Sequence, residues 1–111
     1  MSKLLEKLKT DILVADGAMG TLLYTNGLGN CYVAYNLMHA QEIKRIHQVY
    51  IEAGADIIQT NTYGAKRHKL KAYGFEDNVK RNNQEGVRIA LEAAGDDVFV
   101  LGNVSASRGL K

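Results

Sequence analysis

Two short apolar runs, Ile12-Leu13-Val14-Ala15 and Ile57-Ile58 after Asp56, each break off into a loop of small and polar residues. Runs without polar alternation suit parallel strands covered on both faces. Between them, residues 40–53 place Ile43, Ile46, His47, Tyr50 and Ala53 on the stripe of a sheet-packing helix. Gly54 stands where such a helix is closed. Strand, helix and strand in this order constrain the chain more than any other feature it has.

The rest of the pattern fits that frame. Leu4, Leu5 and Leu8 predict a short amphipathic helix over residues 2–10, and Thr21 to Asn26 a second one stopped near Gly27. Residues 26–36 read as an irregular excursion. A helix over 64–73 ends at Gly74. Another over 78–94 shows Val79, Asn83, Val87, Ala90, Leu91 and Ala94 on one face and is ended by Gly95-Asp96-Asp97. Val98 to Gly102 forms a third strand. Strands separated by helices imply a parallel sheet with right-handed crossovers.

The fold class is therefore α/β. Three parallel strands alone would leave unpaired edges, and a complete (β/α)8 TIM barrel needs roughly 250 residues. Residues 1–111 thus read as the N-terminal part of a single barrel domain, covering about its first three β/α units. Such a chain belongs to a longer protein or completes itself by association; a small α/β fold of another kind is the remaining alternative.

The net charge of +2 is too small for a nucleic-acid binder, and no run approaches the apolar length of a membrane span. The single cysteine, Cys31, excludes an internal disulfide framework and fits a reducing cytoplasm. Lys66, Arg67, His68, Lys69 and Lys71 form the one basic cluster. It reads as a solvated helix face, with a site for anionic substrate tails as the alternative.

In a barrel of parallel strands, active sites are assembled at the carboxyl ends of the strands. Asp16, Gly17 and Ala18 stand at the first such end; Gln59, Thr60, Asn61 and Thr62 stand at the second. An aspartate beside small residues could hold an ammonium group while the backbone approaches closely. Gly20 reads as serving chain geometry. The bland alternatives are a turn-capping Asp16 and polar groups that only tie loops together. His47 falls on a packed stripe, and neither His39 nor His68 is at ligand spacing to it. Gly17-x-x-Gly20 lacks both the third glycine of a dinucleotide fingerprint and the Lys-Ser/Thr of a P-loop. Ser105 and Ser107 lack a nucleophile elbow.

Asp16-Gly-Ala-Met-Gly-Thr21, Tyr50-Ile-Glu-Ala-Gly-Ala-Asp-Ile-Ile-Gln-Thr-Asn-Thr-Tyr63 and Arg108-Gly109 together resemble the homocysteine S-methyltransferase family. The likeness runs from about Leu4 to Gly109 and is greatest to the N-terminal domain of bifunctional homocysteine methyltransferase/methylenetetrahydrofolate reductases. It implies methyl transfer to the thiol of homocysteine, giving methionine. It also implies a zinc ion held by three cysteine thiolates, and a donor such as a methylated folate, S-methylmethionine or betaine. By the resemblance, Asp16 binds the homocysteine ammonium, Gly17 and Ala18 supply close backbone, and Gln59, Asn61 and Thr62 line the pocket. The family's zinc-binding cysteines lie beyond residue 111, so no catalytic or metal residue is assigned here and the segment alone is expected to be inactive. The chain departs from the family pattern at Val33-Ala34-Tyr35, at Ala40-Gln41, at Asn82 and Gly86 in a helix, and at Asn103-Val-Ser-Ala-Ser107. Alternatives to an active segment are a truncated or degenerate binding module and a barrel lyase or aldolase of other specificity.

Overall fold

Helix α4 (Ala40–Glu52) and helix α6 (Val79–Ala94) pack against each other and form the layer on which the sheet rests. In this computed structural model, residues 3–25 and 31–104 are described. The expected turn at Asn26 and Gly27, the serines at 105 and 107 and the Arg108-Gly109 pair lie outside them.

The remaining elements are α1 (Lys3–Leu8), α2 (Met19–Thr25), α3 (Tyr35–Met38), β1 (Ile57–Gln59), α5 (Arg67–Lys71) and β2 (Phe99–Leu101). Turns of 3-10 helix at Tyr32–Ala34 and Glu76–Asn78 lead into α3 and α6. Part of the expected excursion over 26–36 is thus helical. The helix expected over 64–73 is a single short turn, because Thr62 to Lys66 is spent on loop hydrogen bonds.

β1 and β2 pair in parallel, with Ile57 opposite Phe99, Ile58 opposite Val100 and Gln59 opposite Leu101. The first apolar run meets β1 through one parallel bridge, Ala15 to Ile57. Val14 O accepts from the Asp56 and Ile57 amides, Asp16 N donates to Ile57 O, and the Asp56 carboxylate accepts from Val14 N at 3.0 Å. Three parallel segments therefore lie side by side in chain order.

The expectation that Ile12–Ala15 is buried on both faces fails. Ile12 is 94% exposed and Val14 56%, because the run lies at the edge of the described sheet and the helix layer packs against β1 and β2 instead. In those two strands, Ile58 and Val100 insert between Ile51, Ala90, Ala93 and Ala94. A second cluster joins Leu23, Ile43, Ile46 and Ile89, and a third joins Val33, Ala65 and Leu70 beneath α5.

Helix ends follow from backbone chemistry. Gly54, Gly74 and Gly95 have φ of 109°, 79° and 60°, a region in which a Cβ is costly. The buried face of α6 differs from the expected one. Asn82, Gly86, Ile89, Ala90 and Ala94 point inward, whereas Val87 and Leu91 are exposed. The two departures from the family pattern therefore sit on the packed face. At Gly86 an added Cβ would lie 2.7 Å from Thr62 Cγ2, 2.9 Å from Asn36 Nδ2 and 3.3 Å from Asn61 O. The glycine lets α6 close on the loop after β1.

Candidate functional site

A recess of about 590 Å³ opens where the three parallel segments end, with Asp16, Gly17, Ala18, Gln59 and Asn61 among its walls. The sheet itself positions its carboxylate. Asp16 follows the bridge residue Ala15, and its Oδ2 accepts a hydrogen bond from the Gln59 amide at 3.1 Å. Its Oδ1 is buried and has no partner. Burial pushes the Asp16 carboxyl above the usual carboxylate range, and the Gln59 amide partly restrains that rise. A half-buried carboxylate with one oxygen lacking a donor is a place for a cationic or hydrogen-bonding ligand group.

Gly17 borders the recess, but its missing side chain serves a neighbour as well. An added Cβ would sit 3.0–3.3 Å from the ring and hydroxyl of Tyr50. Tyr50 in turn donates to Ala18 O at 2.6 Å, which fixes the loop after the first strand to α4. Gly20 has a comparable task. A Cβ there would approach Tyr32 Cε2 to 2.7 Å, so this glycine makes room for an aromatic wall of the recess and does more than shape the chain.

The residues after β1 divide into two sets. Gln59 is exposed at the recess, and Thr60 and Asn61 line it. Asn61 spends its amide on structure: Nδ2 donates to Tyr32 O at 2.9 Å and to Asn36 Oδ1 at 3.1 Å. Asn36 Nδ2 donates to Asn61 O at 2.8 Å and to Asn82 O at 3.1 Å. Thr62 lies outside the main recess and borders a smaller one. Its hydroxyl donates to Asn103 O at 2.7 Å, while Asn103 N donates to Thr60 Oγ1 at 3.0 Å. These bonds join the ends of β1 and β2. The structure thus brings five of the six candidate residues to one recess and sets Thr62 behind it.

Sequence reasoning missed Cys31, Tyr32, Tyr63, Tyr73 and Asn103 as lining residues and held Lys69 only within the alternative reading of its basic cluster. The spacing of Lys69 and Tyr73, one helical turn apart, was the available signal. Cys31 is a half-buried free thiol that burial pushes above its ordinary pKa. His47 is buried in the core, and His39 packs edge-on against Tyr35.

The thiolate triad that the resemblance implies for zinc does not fit this chain, which has one cysteine. Among the described residues no three His, Cys, Asp or Glu side chains converge. Also among them, no helix is long and apolar enough to cross a membrane.

Comparison with known proteins agrees with the geometry. The homocysteine S-methyltransferase family model matches residues 13–110. Methionine synthase from Mycobacterium leprae is 36% identical over 101 residues, covering 84% of this chain, and that from Mycobacterium tuberculosis is 35% identical over the same length. In both cases the chain spans 8% of the relative. Among solved structures, the metallated homocysteine methyltransferase MmuM from Escherichia coli superposes with a TM-score of 0.80 at 22% identity, over 96% of this chain and 42% of that one. Its oxidized form gives 0.76 at 24% identity, over 95% and 41%. At these identities the structural likeness speaks for the fold, while the sequence match carries the assignment: the chain belongs to the homocysteine S-methyltransferase family.

Proposed function

We propose that this chain forms one wall of the homocysteine pocket in a (β/α)8 barrel that transfers a methyl group to homocysteine, giving methionine. The observation that carries the reading is Asp16. It stands at the end of the first parallel segment, lines the recess and keeps one carboxylate oxygen without a partner. That oxygen accepts from the substrate ammonium, while Gly17 and Ala18 border the ligand and Gln59 and Asn61 close the adjoining wall.

In the reaction the homocysteine sulfur forms a bond to the methyl carbon. The bond from that carbon to the donor breaks, and its electron pair leaves with the donor. Activation of the sulfur as a thiolate must come from groups outside this chain, because its donor set does not fit zinc. The methyl donor is a methylated folate or another methylated compound. The exposed apolar side chains Ile12, Val14 and Leu101, spread over the sheet's two faces, support burial against the remainder of the barrel or against a second copy. The single cysteine suits a cytoplasmic setting.

Calorimetric titration of homocysteine into the 111-residue chain and an Asp16→Asn variant tests this. The variant keeps the oxygen that accepts from Gln59 but removes the charge. Binding that Asp16→Asn weakens by about tenfold or more supports the reading, that being the scale of one charge-assisted hydrogen bond. Equal binding by both proteins, or none by a folded wild type, refutes it. The chain alone is expected neither to methylate homocysteine nor to retain zinc through dialysis; stoichiometric retained zinc would contradict the assignment of the metal to other residues.

A further inference from the structure

The recess carries opposite charges on different walls. Among its described lining residues, Asp16 is the only carboxylate and Lys69 the only cation. Lys69 belongs to the basic cluster read from the sequence as a solvated face, with a site for anionic substrate tails as the alternative, and it alone of those residues reaches the recess. Leu70, its neighbour in α5, turns into the core under the helix. Tyr73, one turn on, borders the recess with Lys69, and Tyr63 approaches from the loop after β1. Both tyrosines leave more than half their surface uncovered. The Lys69 ammonium makes no ion pair among the described residues.

An ammonium without an ion-pair partner at the mouth of a recess is available to an anionic group of the ligand. The volume also bears on the question. A recess of about 590 Å³ falls in the range that holds drug-sized molecules, more than one small amino acid needs. We propose that Lys69 is a specificity-determining residue that recognises a substrate carboxylate. The carboxylate has two possible sources, the α-carboxylate of the amino acid bound at Asp16 or a carboxylate of the methyl donor. The first source rests on the homocysteine reading; the second does not.

Calorimetry on the 111-residue chain, Lys69→Gln and Lys69→Arg distinguishes them, with homocysteine, aminopropanethiol (homocysteine without its carboxylate) and glutarate as ligands. Lys69 is exposed, so the variants are expected to keep the wild-type fold, which circular dichroism checks. If the α-carboxylate is read, Lys69→Gln weakens homocysteine about tenfold or more. Lys69→Arg then retains it, and aminopropanethiol binds all three proteins alike. If the donor carboxylate is read, homocysteine is unaffected and glutarate binding is lost in Lys69→Gln but kept in Lys69→Arg. Homocysteine and glutarate binding both unchanged in Lys69→Gln overturns the inference, as does a wild type that binds neither. Loss of homocysteine in Asp16→Asn with no effect of Lys69→Gln on either ligand sinks the role of Lys69 and leaves the homocysteine pocket standing. Lys69-dependent glutarate binding without any homocysteine binding does the reverse.

Discussion

The two sides of the sheet contrast sharply. Toward the helices, Ile58 and Val100 are locked among Ile51, Ala90, Ala93 and Ala94. On the opposite side, Ile57 is 7% exposed and Leu101 38%, while the first apolar run, at the sheet edge, reaches solvent at Ile12 and Val14. The same sequence signal, a short apolar run, thus has two outcomes within one sheet. What differs is the cover: α4 and α6 lie over β1 and β2, and they leave Ile12 and Val14 of the edge run bare. Apolarity in the sequence records what a strand must meet, and the meeting partner decides its burial.

That contrast can be broken by mutation. The largest effect is expected for Ile58→Ala, which removes atoms from a fully buried site and should cost about 2–5 kcal/mol in a urea titration. Leu101→Ala on the open side should cost under about 0.5 kcal/mol in the isolated chain. Comparable costs would mean that the open side is covered in solution.

A second effect concerns the helix layer alone. His47 is buried without a partner for either ring nitrogen, and burial lowers its pKa to about 4. The free imidazole titrates near ~6.5. Above that pH both folded and unfolded chains are neutral at this residue, so it contributes no pH dependence. As pH falls from ~6.5 toward 4, the unfolded chain takes a proton that the folded chain refuses. Stability therefore drops, by about 3 kcal/mol at the acid end. Urea midpoints between pH 7 and pH 4.5 should show a fall for wild type that is smaller in His47→Leu; parallel slopes would exclude His47 as its source.

A third, smaller effect is also a test of sign. Gly86→Ala would gain about 1 kcal/mol from helix propensity if the site were open. The close approach of Thr62, Asn36 and Asn61 makes it a loss instead, about 1–2 kcal/mol net of that gain. A higher melting temperature in the variant would show that the seam between α6 and the loop is looser than these distances require.

Much of the fold was legible because its signals are local. The stripe from Ile43 to Ala53 marked α4, and Gly54, Gly74 and Gly95 marked helix ends through backbone conformations that disfavour a side chain. The inward face of α6 was not legible. Val87 and Leu91 look like core residues by apolarity, but the face that packs is the one bearing Asn82 and Gly86, whose neighbours lie on α3 and in the loop after β1. Contacts between residues far apart in the chain leave no mark on helical periodicity.

The candidate site divides in the same way. Asp16, Gly17, Ala18, Gln59 and Asn61 were legible as strand-end residues, and they do share the recess. Thr62 was grouped with them by adjacency, but its side chain turns the other way, toward Asn103. Lys69 was hidden within a basic cluster because only the orientation of α5 separates it from Lys66, Arg67 and Lys71.

The Gly86 seam carries a consequence for how this chain can vary. Positions 36, 62 and 86 share one small volume, so a lineage cannot enlarge residue 86 while Thr62 and Asn36 keep their size and place. The route from this chain to a relative with a bulkier residue there passes through a paired exchange, or through an intermediate that folds less well. Gly86, Asn36 and Thr62 thus vary as one unit, in which the size allowed at each position is set by the other two.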